Sequence, residues 1–566
     1  MTASEVKLPA AGEIAQPQLR PGGILARTRR PALVAAAVVA CSAVLFYLYL
    51  GQAGTMPVAS DGASQALQAW AMLHGNVLLR GWSLSDVSFY STELPQFMLI
   101  EAVRGLNGQV VHLAAAMTYT LLVIGVGVLA KGNATGRPGL MRALIASGIL
   151  LAPPLGARST TWVVLNYPDH TGTQVPLLLI WLLLDRVKPR WWVPILIAVL
   201  LTWVQVADTM ALYEGVLPIV AVSAIRIIAR RRKLVKPRLA EHWYELSLTA
   251  GAVASAYAAT HILLLIRQAG GFDFSPPSTS FSTISGMSSN VWPKVQTELI
   301  VFGADFFGQS LRQAVVPLLH LVAVVLVIWA VVVAVRRFVA EDDLMTQVLT
   351  ATFIVVLAAY TLGFRVGAWE VIGLLPSGAV LAGRLLPVRV TKVGLVMPLA
   401  GVLACYGLLL FKDSRMPPPG NFNVTMANWL KAHHLRYGLA RYWHANSITL
   451  LSGDQVQVRA ITTQANQFLL THWNTDSTWF DPRLHNAKFV ILPTNDWVAR
   501  RSVYGAVGKP AKTYHLGLYV VMVWRKNLLN GPFVSGRFVP WDILAVKTAR
   551  TSLSRPAPGS TAPGPR

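Results

Sequence analysis

Ala314-Val315-Val316-Pro317-Leu318-Leu319-His320-Leu321-Val322-Ala323-Val324-Val325-Leu326-Val327-Ile328-Trp329-Ala330-Val331-Val332-Val333-Ala334-Val335 is one apolar run, and Arg336-Arg337 ends it. A run of roughly 20 apolar residues is long enough to cross the hydrocarbon core of a bilayer as a helix. The chain has others, near 32–50, 109–130, 141–156, 173–185, 191–209, 211–229, 243–266, 344–363, 371–386 and 393–411. The fold class expected is therefore a polytopic α-helical membrane protein with about 11 transmembrane helices. Composition agrees. Of the 566 residues 54% are hydrophobic and 13% charged, against a charged share of roughly 25% in soluble domains.

The formal net charge of +24 does not point to nucleic acid, because the basic residues cluster in short loops between apolar runs, where they orient helices. With the amino terminus inside, the inside loops hold Lys131/Arg137/Arg142, Arg186/Lys188/Arg190, Arg230–Lys233, Arg336/Arg337 and Arg384/Arg389/Lys392. The outside loops hold only scattered cations such as Arg80, Arg158, Lys294 and Arg365. The cell membrane is the expected location, with a cytoplasmic amino end. The two cysteines, Cys41 and Cys405, both sit in apolar runs, so no extracellular disulfide framework is expected.

Four divisions follow. Residues 1–31, Pro/Gly/Ala-rich and basic, read as a disordered cytoplasmic tail. Residues 32–411 form the membrane domain. Its long outside loops are 51–108, 157–172 and 267–313, lengths that suggest function rather than connection. The runs near 141 and 173 carry Pro153, Pro154 and Pro176, which predicts tilted or broken helices lining a cavity. After the stiff linker Met416-Pro417-Pro418-Pro419-Gly420, residues 412–550 read as an extracytoplasmic α/β domain. It has a helix over 424–435 and β-rich segments at Ser447–Leu451, Ala487–Leu492 and Leu518–Trp524. Residues 551–566 read as a disordered tail.

The chemistry concentrates in the outside loops. In the first, apolar residues at Ala63, Ala66, Leu67, Trp70 and Leu73 make one helical face, so a helix lying along the membrane is expected from Asp61 to His74. A second amphipathic stretch follows Pro95. The loop carries Asp61, Asp86 and Glu93 in a chain poor in acids. Each has a plain reading: Asp61 as a helix cap or first-turn dipole partner, Asp86 as a polar turn, Glu93 as a solvated acid. The functional reading is a base held at the membrane face. In the second loop, Pro168-Asp169-His170-Thr171-Gly172-Thr173 either caps a helix or orients a phosphate or metal. Asp208 and Glu214 lie near hydrocarbon, where ionisable groups default to function, or else sit in a hairpin turn. Arg365 is a candidate for lipid phosphate, with Glu370 as its alternative partner. In the third loop, Val291–Phe307 reads as an amphipathic segment. No Gly-rich phosphate loop, Cys-based metal motif or nucleophile elbow occurs.

An inside amino end, an acid in a long first outside loop with amphipathic helices, many spans and an outside carboxyl domain together resemble the GT-C glycosyltransferase superfamily. That group includes protein mannosyltransferases, oligosaccharyltransferase catalytic subunits and lipid A aminoarabinose transferases. The likeness to bacterial members rests on Ser60-Asp61-Gly62, Gly75–Trp82, Ser88–Thr92 and Leu374–Arg384. It covers residues 32–411. The resemblance implies transfer of a sugar from a polyprenyl-phosphate donor to an acceptor on the extracytoplasmic side, the acceptor being a glycan, lipid or protein. It matches Asp61 to the first-loop catalytic acid and Asp169 to the second-loop acid. Neither loop has an Asp-X-Asp pair, so a divalent cation stays an open cofactor, with Asp169 and His170 as its candidate ligands. The absence of a Trp-Trp-Asp signature argues against transfer to asparagine. Asp61, with Asp86 and Glu93, is the expected catalytic set. Asp169, His170, Arg365 and Arg80 are the expected donor-binding set. The alternatives are a transporter or flippase of a lipid-linked sugar, which needs acids in mid-span, and a non-catalytic scaffold for envelope assembly.

Overall fold

A computed structural model describes residues 22–536 apart from 157–158, 234–238, 275–279, 341, 364, 387–392, 419 and 465. The tail readings at 1–21 and 551–566, and Arg158 and Arg389, lie outside the described residues.

The chain opens with α1 (Gly22–Ala53), α2 (Ser60–Leu73), the two-residue β1 (Trp82–Ser83), α3 (Glu93–Arg104), α4 (Gln109–Lys131), α5 (Gly136–Leu150) and α6 (Thr160–Val164). It continues through α7 (Asp169–Arg186), α8 (Trp192–Ala207), α9 (Leu217–Lys233), α10 (Trp243–Gln268) and α11 (Ile284–Val301). Then come α12 (Leu311–Arg337), α13 (Leu344–Leu362), α14 (Leu374–Leu385) and α15 (Val393–Asp413).

Each of the eleven apolar runs carries a helix. Seven helices are long and apolar enough to cross a membrane, among the described residues. The others are shorter: α14 has 12 residues, about 18 Å at 1.5 Å per residue against a hydrocarbon core of about 30 Å. α14 is buried from Leu374 to Gly383 and packs against α4, α5, α12 and α13, so protein rather than lipid surrounds it. α1 starts at Gly22, inside the stretch assigned to a tail. α5 stops at Leu150, ahead of Pro153-Pro154, whereas α7 runs on through Pro176. The core of the bundle centres on Tyr49, Tyr119 and Trp181, with the two tyrosine rings edge to face at 4.8 Å.

One end of the bundle carries structural ion pairs. Glu245 of α10 takes Arg226 at 3.2 Å and Arg230 at 2.7 Å from α9, and Arg384 of α14 pairs with Asp185 of α7. The other end carries the long loops.

Beyond α15 lie α16 (Phe422–Ala432), β2 (Tyr437–Ala440), α17 (Tyr442–Leu451), β3 (Gln457–Gln464), β4 (Gln467–Thr471) and β5 (Thr475–Asp476). After them come β6 (Phe489–Pro493), α18 (Trp497–Val507), β7 (Lys512–Leu516), β8 (Tyr519–Val523) and β9 (Phe533–Gly536). Seven of these strands make a mixed sheet in the order β7-β8-β6-β2-β3-β4-β9, with β2 parallel to both β3 and β6. Ser447–Leu451, expected as strand, is the end of helix α17. Its alternating Ser447-Ile448-Thr449-Leu450 mimics a strand, but the helix buries Ala445 and Ile448 together. The hydroxyls find acceptors: Thr449 Oγ1 donates to the Ala445 carbonyl one turn back at 3.1 Å and Ser447 Oγ to the carbonyl of Val58, ahead of α2, at 3.0 Å. Packing thus overrides local preference.

The first loop joins the two parts. β1 pairs antiparallel with β5, Trp82 facing Asp476, and also bridges to Asp273 of the third loop. Trp82 stacks edge-on against Trp479 at 4.9 Å.

Candidate active site

The N-cap of α2 is Ala59, which makes no side-chain cap bond. Asp61 sits in the first turn instead, half-buried, and its carboxylate accepts a hydrogen bond from the Tyr442 hydroxyl at the start of α17. That tyrosine is held in turn. Asn474 Nδ2 donates to its hydroxyl oxygen at 2.9 Å, Ser60 Oγ donates to its carbonyl, and Gln68 Nε2 holds Asn474 Oδ1 at 3.1 Å. Burial raises the Asp61 carboxyl above its ordinary range, while bonds from Tyr442, Trp473 and Tyr167 pull it part of the way back. Tyr167 also reaches Asp169, so its one hydroxyl proton serves one of two acids at a time.

Asp169 opens α7 at a φ of +43°, a left-handed conformation that a non-glycine residue holds at a cost of about 1–3 kcal/mol. The next residue, His170, directs Nδ1 at Asp208 Oδ2, 2.7 Å away, and Nε2 towards Asp169 Oδ1 at 4.0 Å. Asp208 caps the end of α8 and is fully buried. It also accepts from Thr173 Oγ1 at 2.6 Å and from the Met210 amide at 2.8 Å. Burial pulls the imidazole down, but the two flanking carboxylates outweigh it and hold His170 well above its usual value. Burial pushes Asp169 up to about 7, His170 opposing and Asp61 and Asp208 adding to the rise.

The first loop folds over this group. Phe89, at φ +51°, lies edge to face with His170 at 5.9 Å and gives its amide to the Ala207 carbonyl at 2.9 Å. Ser88 Oγ donates to the Val206 carbonyl at 2.6 Å. These bonds satisfy carbonyls that the end of α8 would leave orphaned.

Two glycines admit buried acids. A Cβ on Gly172 would sit 2.1 Å from Glu93 Oε1, and one on Gly373 would sit 2.3 Å from Glu214 Oε1. Glu214, in a π-helical turn before α9, receives Gln174 Nε2 at 2.7 Å. Glu93 Oε1 has no hydrogen-bond partner among the described residues. Thr92 Oγ1 bonds the other oxygen. Burial pushes the Glu93 carboxyl up to about 8, the Thr92 bond opposing and the Asp208 charge adding to the rise. At neutral pH Glu93 is therefore mostly a neutral acid.

Arg365, half-buried before α14, donates from Nη1 to Asp86 at 3.0 Å and to Glu370 at 3.1 Å. Both bonds use one nitrogen. Among the described residues no hydrogen bond from Arg365 Nη2 or Nε is seen. The charges of Asp86 and Asp61 act on Asp169, that of Glu370 on His170 and that of Asp169 on Glu93, and Arg365 joins this group through its bonds to Asp86 and Glu370. Arg80 stands apart. It is exposed, and its backbone amide is tied to Asn76 Oδ1 at 2.7 Å on the turn leading to β1. A groove of about 930 Å³ opens elsewhere, between the end of α1 and α3, α4 and α16, with Arg104 and His112 among its lining residues and none of these acids.

Among the described residues no three His, Cys, Asp or Glu side chains converge to hold a metal ion. Asp169 and His170 are two ligands at most, and Nδ1 of His170 is already engaged by Asp208. Among the described residues Asp169 and His170 by themselves do not complete a metal site.

Sequence reasoning singled out Asp208 and Glu214 as ionisable groups near a span end but placed them in neither the catalytic nor the donor-binding set. It missed Tyr442 and Tyr167 altogether. Tyr167, beside Pro168-Asp169, had a local cue, whereas Tyr442 lies 381 positions from Asp61 and had none.

Solved structures share the architecture. ArnT from Cupriavidus metallidurans in the apo state matches with a TM-score of 0.53 at 11% identity, over 89% of this chain and 100% of that one. Bound to undecaprenyl phosphate it matches at 0.51 and 10% identity, over 86% and 97%. ArnT is a GT-C fold glycosyltransferase, and the chain has that fold. The oligosaccharyltransferase of Archaeoglobus fulgidus tethered to an acceptor peptide gives 0.43 at 13% identity, over 81% and 69%, too loose a match to add to the assignment. No protein-family model and no curated protein sequence matches the chain.

Proposed function

We propose that the protein transfers a sugar from a polyprenyl-phosphate donor to an acceptor, at the membrane face that carries the acid cluster. The observation that carries this reading is the pairing of a half-buried, tyrosine-bonded carboxylate, Asp61, with a cationic side, His170 and Arg365, in one site. Support for the donor class comes from the fold shared with ArnT, which was solved with undecaprenyl phosphate bound. About eleven spans, a cytoplasmic amino end and an extracytoplasmic sheet domain over 412–550 complete the reading.

The chemistry is a displacement at the anomeric carbon. The acceptor oxygen forms the new bond to that carbon, and the carbon–oxygen bond to phosphate breaks. Asp61 takes the acceptor proton, helped by a carboxyl that burial makes more basic than usual. The polyprenyl phosphate leaves with the bonding pair, and its charge is met by the guanidinium fork of Arg365 and by the imidazolium of His170. Asp208 fixes the tautomer and charge of His170, and Asp86 and Glu370 aim Arg365. Glu93, buried and neutral, holds the first loop against α7 rather than accepting a proton.

The test is turnover of undecaprenyl-phosphate-linked sugars by purified Asp61→Asn protein. Loss of one general base should slow transfer by about 10²–10⁴-fold with the melting temperature retained. Full activity in a folded Asp61→Asn variant refutes the assignment.

A further inference from the structure

α11 presents an apolar face that none of the described residues covers. Ile284 is 89% exposed, Val291 57% and Trp292 50%, and Val295 extends the stripe. These positions follow the helical repeat along one side. Lys294, Thr297 and Val301 are buried on the other side, so the stripe is the outer surface of a helix docked on the bundle. α11 is not among the helices apolar enough to cross a membrane.

Its position in the fold says what covers it. The chain enters α11 against the last turn of α13, where the Ser282 amide donates to the Leu362 carbonyl at 2.8 Å and Phe281 bridges to Gly363. It leaves through Phe306-Phe307 into α12. Along α12, Leu311, Val315, Leu318, Val322 and Val325 are exposed, a stripe at four- and three-residue steps that faces lipid down a long apolar helix. α11 thus lies level with the end of α13 and with the turn that leads into α12. Trp292 packs edge-on against Phe307 at 4.5 Å. Aromatic side chains are typical of the boundary between hydrocarbon and headgroups. An amphipathic helix at this level with no protein partner meets the interfacial region of the bilayer.

We propose that α11 is a membrane-interface helix, seated with its Ile284–Val295 face in the headgroup boundary of the leaflet beside the acid cluster. The buried side gives the seat a consequence. Lys294 Nζ donates to the carbonyls of Tyr360 at 2.7 Å, Thr361 at 2.9 Å and Gly363 at 2.5 Å. It satisfies the orphan carbonyls that end α13, immediately before Arg365. The lipid surface and the site arginine therefore share one anchor.

The test uses the full-length protein in lipid nanodiscs, with Cys41 and Cys405 replaced by serine. Single cysteines at Ile284→Cys, Val295→Cys, Ser289→Cys and Val325→Cys carry an environment-sensitive fluorophore. Headgroup-level spin-labelled lipid should quench labels at 284 and 295 several-fold more than aqueous iodide does. The label at 289, around the helix from the stripe, should show the reverse, and the label at 325 should respond to a quencher deep in the acyl chain. Iodide quenching at 284 and 295 equal to that at 289 overturns the proposal by placing the face in water. Absence of quenching by either agent overturns it by placing protein there. Stronger quenching by the deep probe than by the shallow one overturns it by placing α11 inside the hydrocarbon.

Discussion

Glu93→Gln offers a direct reading of the site's electrostatics. Glu93 is 1% exposed, its Oε1 faces Gly172 without a partner, and burial moves its carboxyl from an ordinary 4.5 up to about 8. The folded state binds a proton that the unfolded state releases between those values. Stability from this group is therefore fully present below about pH 4.5 and is lost as pH rises through about 8. Each pH unit inside the window costs about 1.4 kcal/mol, so the whole window is worth about 5 kcal/mol. Glutamine copies the neutral acid in shape and cannot ionise. In detergent-solubilised protein followed by thermal melting, the wild type should lose melting temperature steadily from pH 5 to pH 8 relative to Glu93→Gln. The two should meet near pH 5, with the variant the more stable at pH 8. Other acids titrate in both proteins and cancel in the difference. Parallel curves across the range, or a variant less stable at pH 8, would refute the claim that Glu93 is neutral and buried at the floor of the site.

Three further outcomes follow from the geometry. Tyr442→Phe removes the hydroxyl that donates to Asp61, a bond that lowers the carboxyl. The acid limb of the transfer rate should move to higher pH, as read from a pH–rate profile. Gly373→Ala sets a Cβ 2.3 Å from Glu214 Oε1 on a side chain with no room to swing, and should cost about 1–3 kcal/mol of stability by overpacking, measured by melting temperature. Arg365→Lys keeps the charge but loses the fork, and should raise the donor KM by about 10–100-fold with a smaller change in kcat, resolved by varying donor concentration.

The helices and the loops between them were legible because both signals are local. An apolar run such as Ala314–Val335 declares itself within its own length, and the charges at its ends orient it. The helix from Asp61 to Leu73 was legible for the same reason, as a face repeated at 3.6 residues. What failed was also local. Ser447–Leu451 alternates like a strand, and only the packing of α17 over β3 makes it a helix.

The site was legible in its acids and not in what holds them. Asp61 and Asp169 stand out because acids are rare in this chain, because both lie in outside loops, and because the GT-C resemblance matches them to its loop acids. Their states depend on partners that no local pattern supplies. His170 becomes a cation because Asp208, 38 positions on, ends a different helix beside it, and Asp61 is restrained by a tyrosine from the sheet domain. Glu93 makes the point in the other direction. Its sequence setting, before Leu94-Pro95, suggested a solvated acid, yet Gly172 lets α7 close over it until ionisation is expensive. A glycine in one loop thus decides the charge of an acid in another. The residues that set the chemistry of this site are as much Gly172, Tyr442 and Asp208, which need not touch a substrate, as the carboxylates that a reading of the chain picks out.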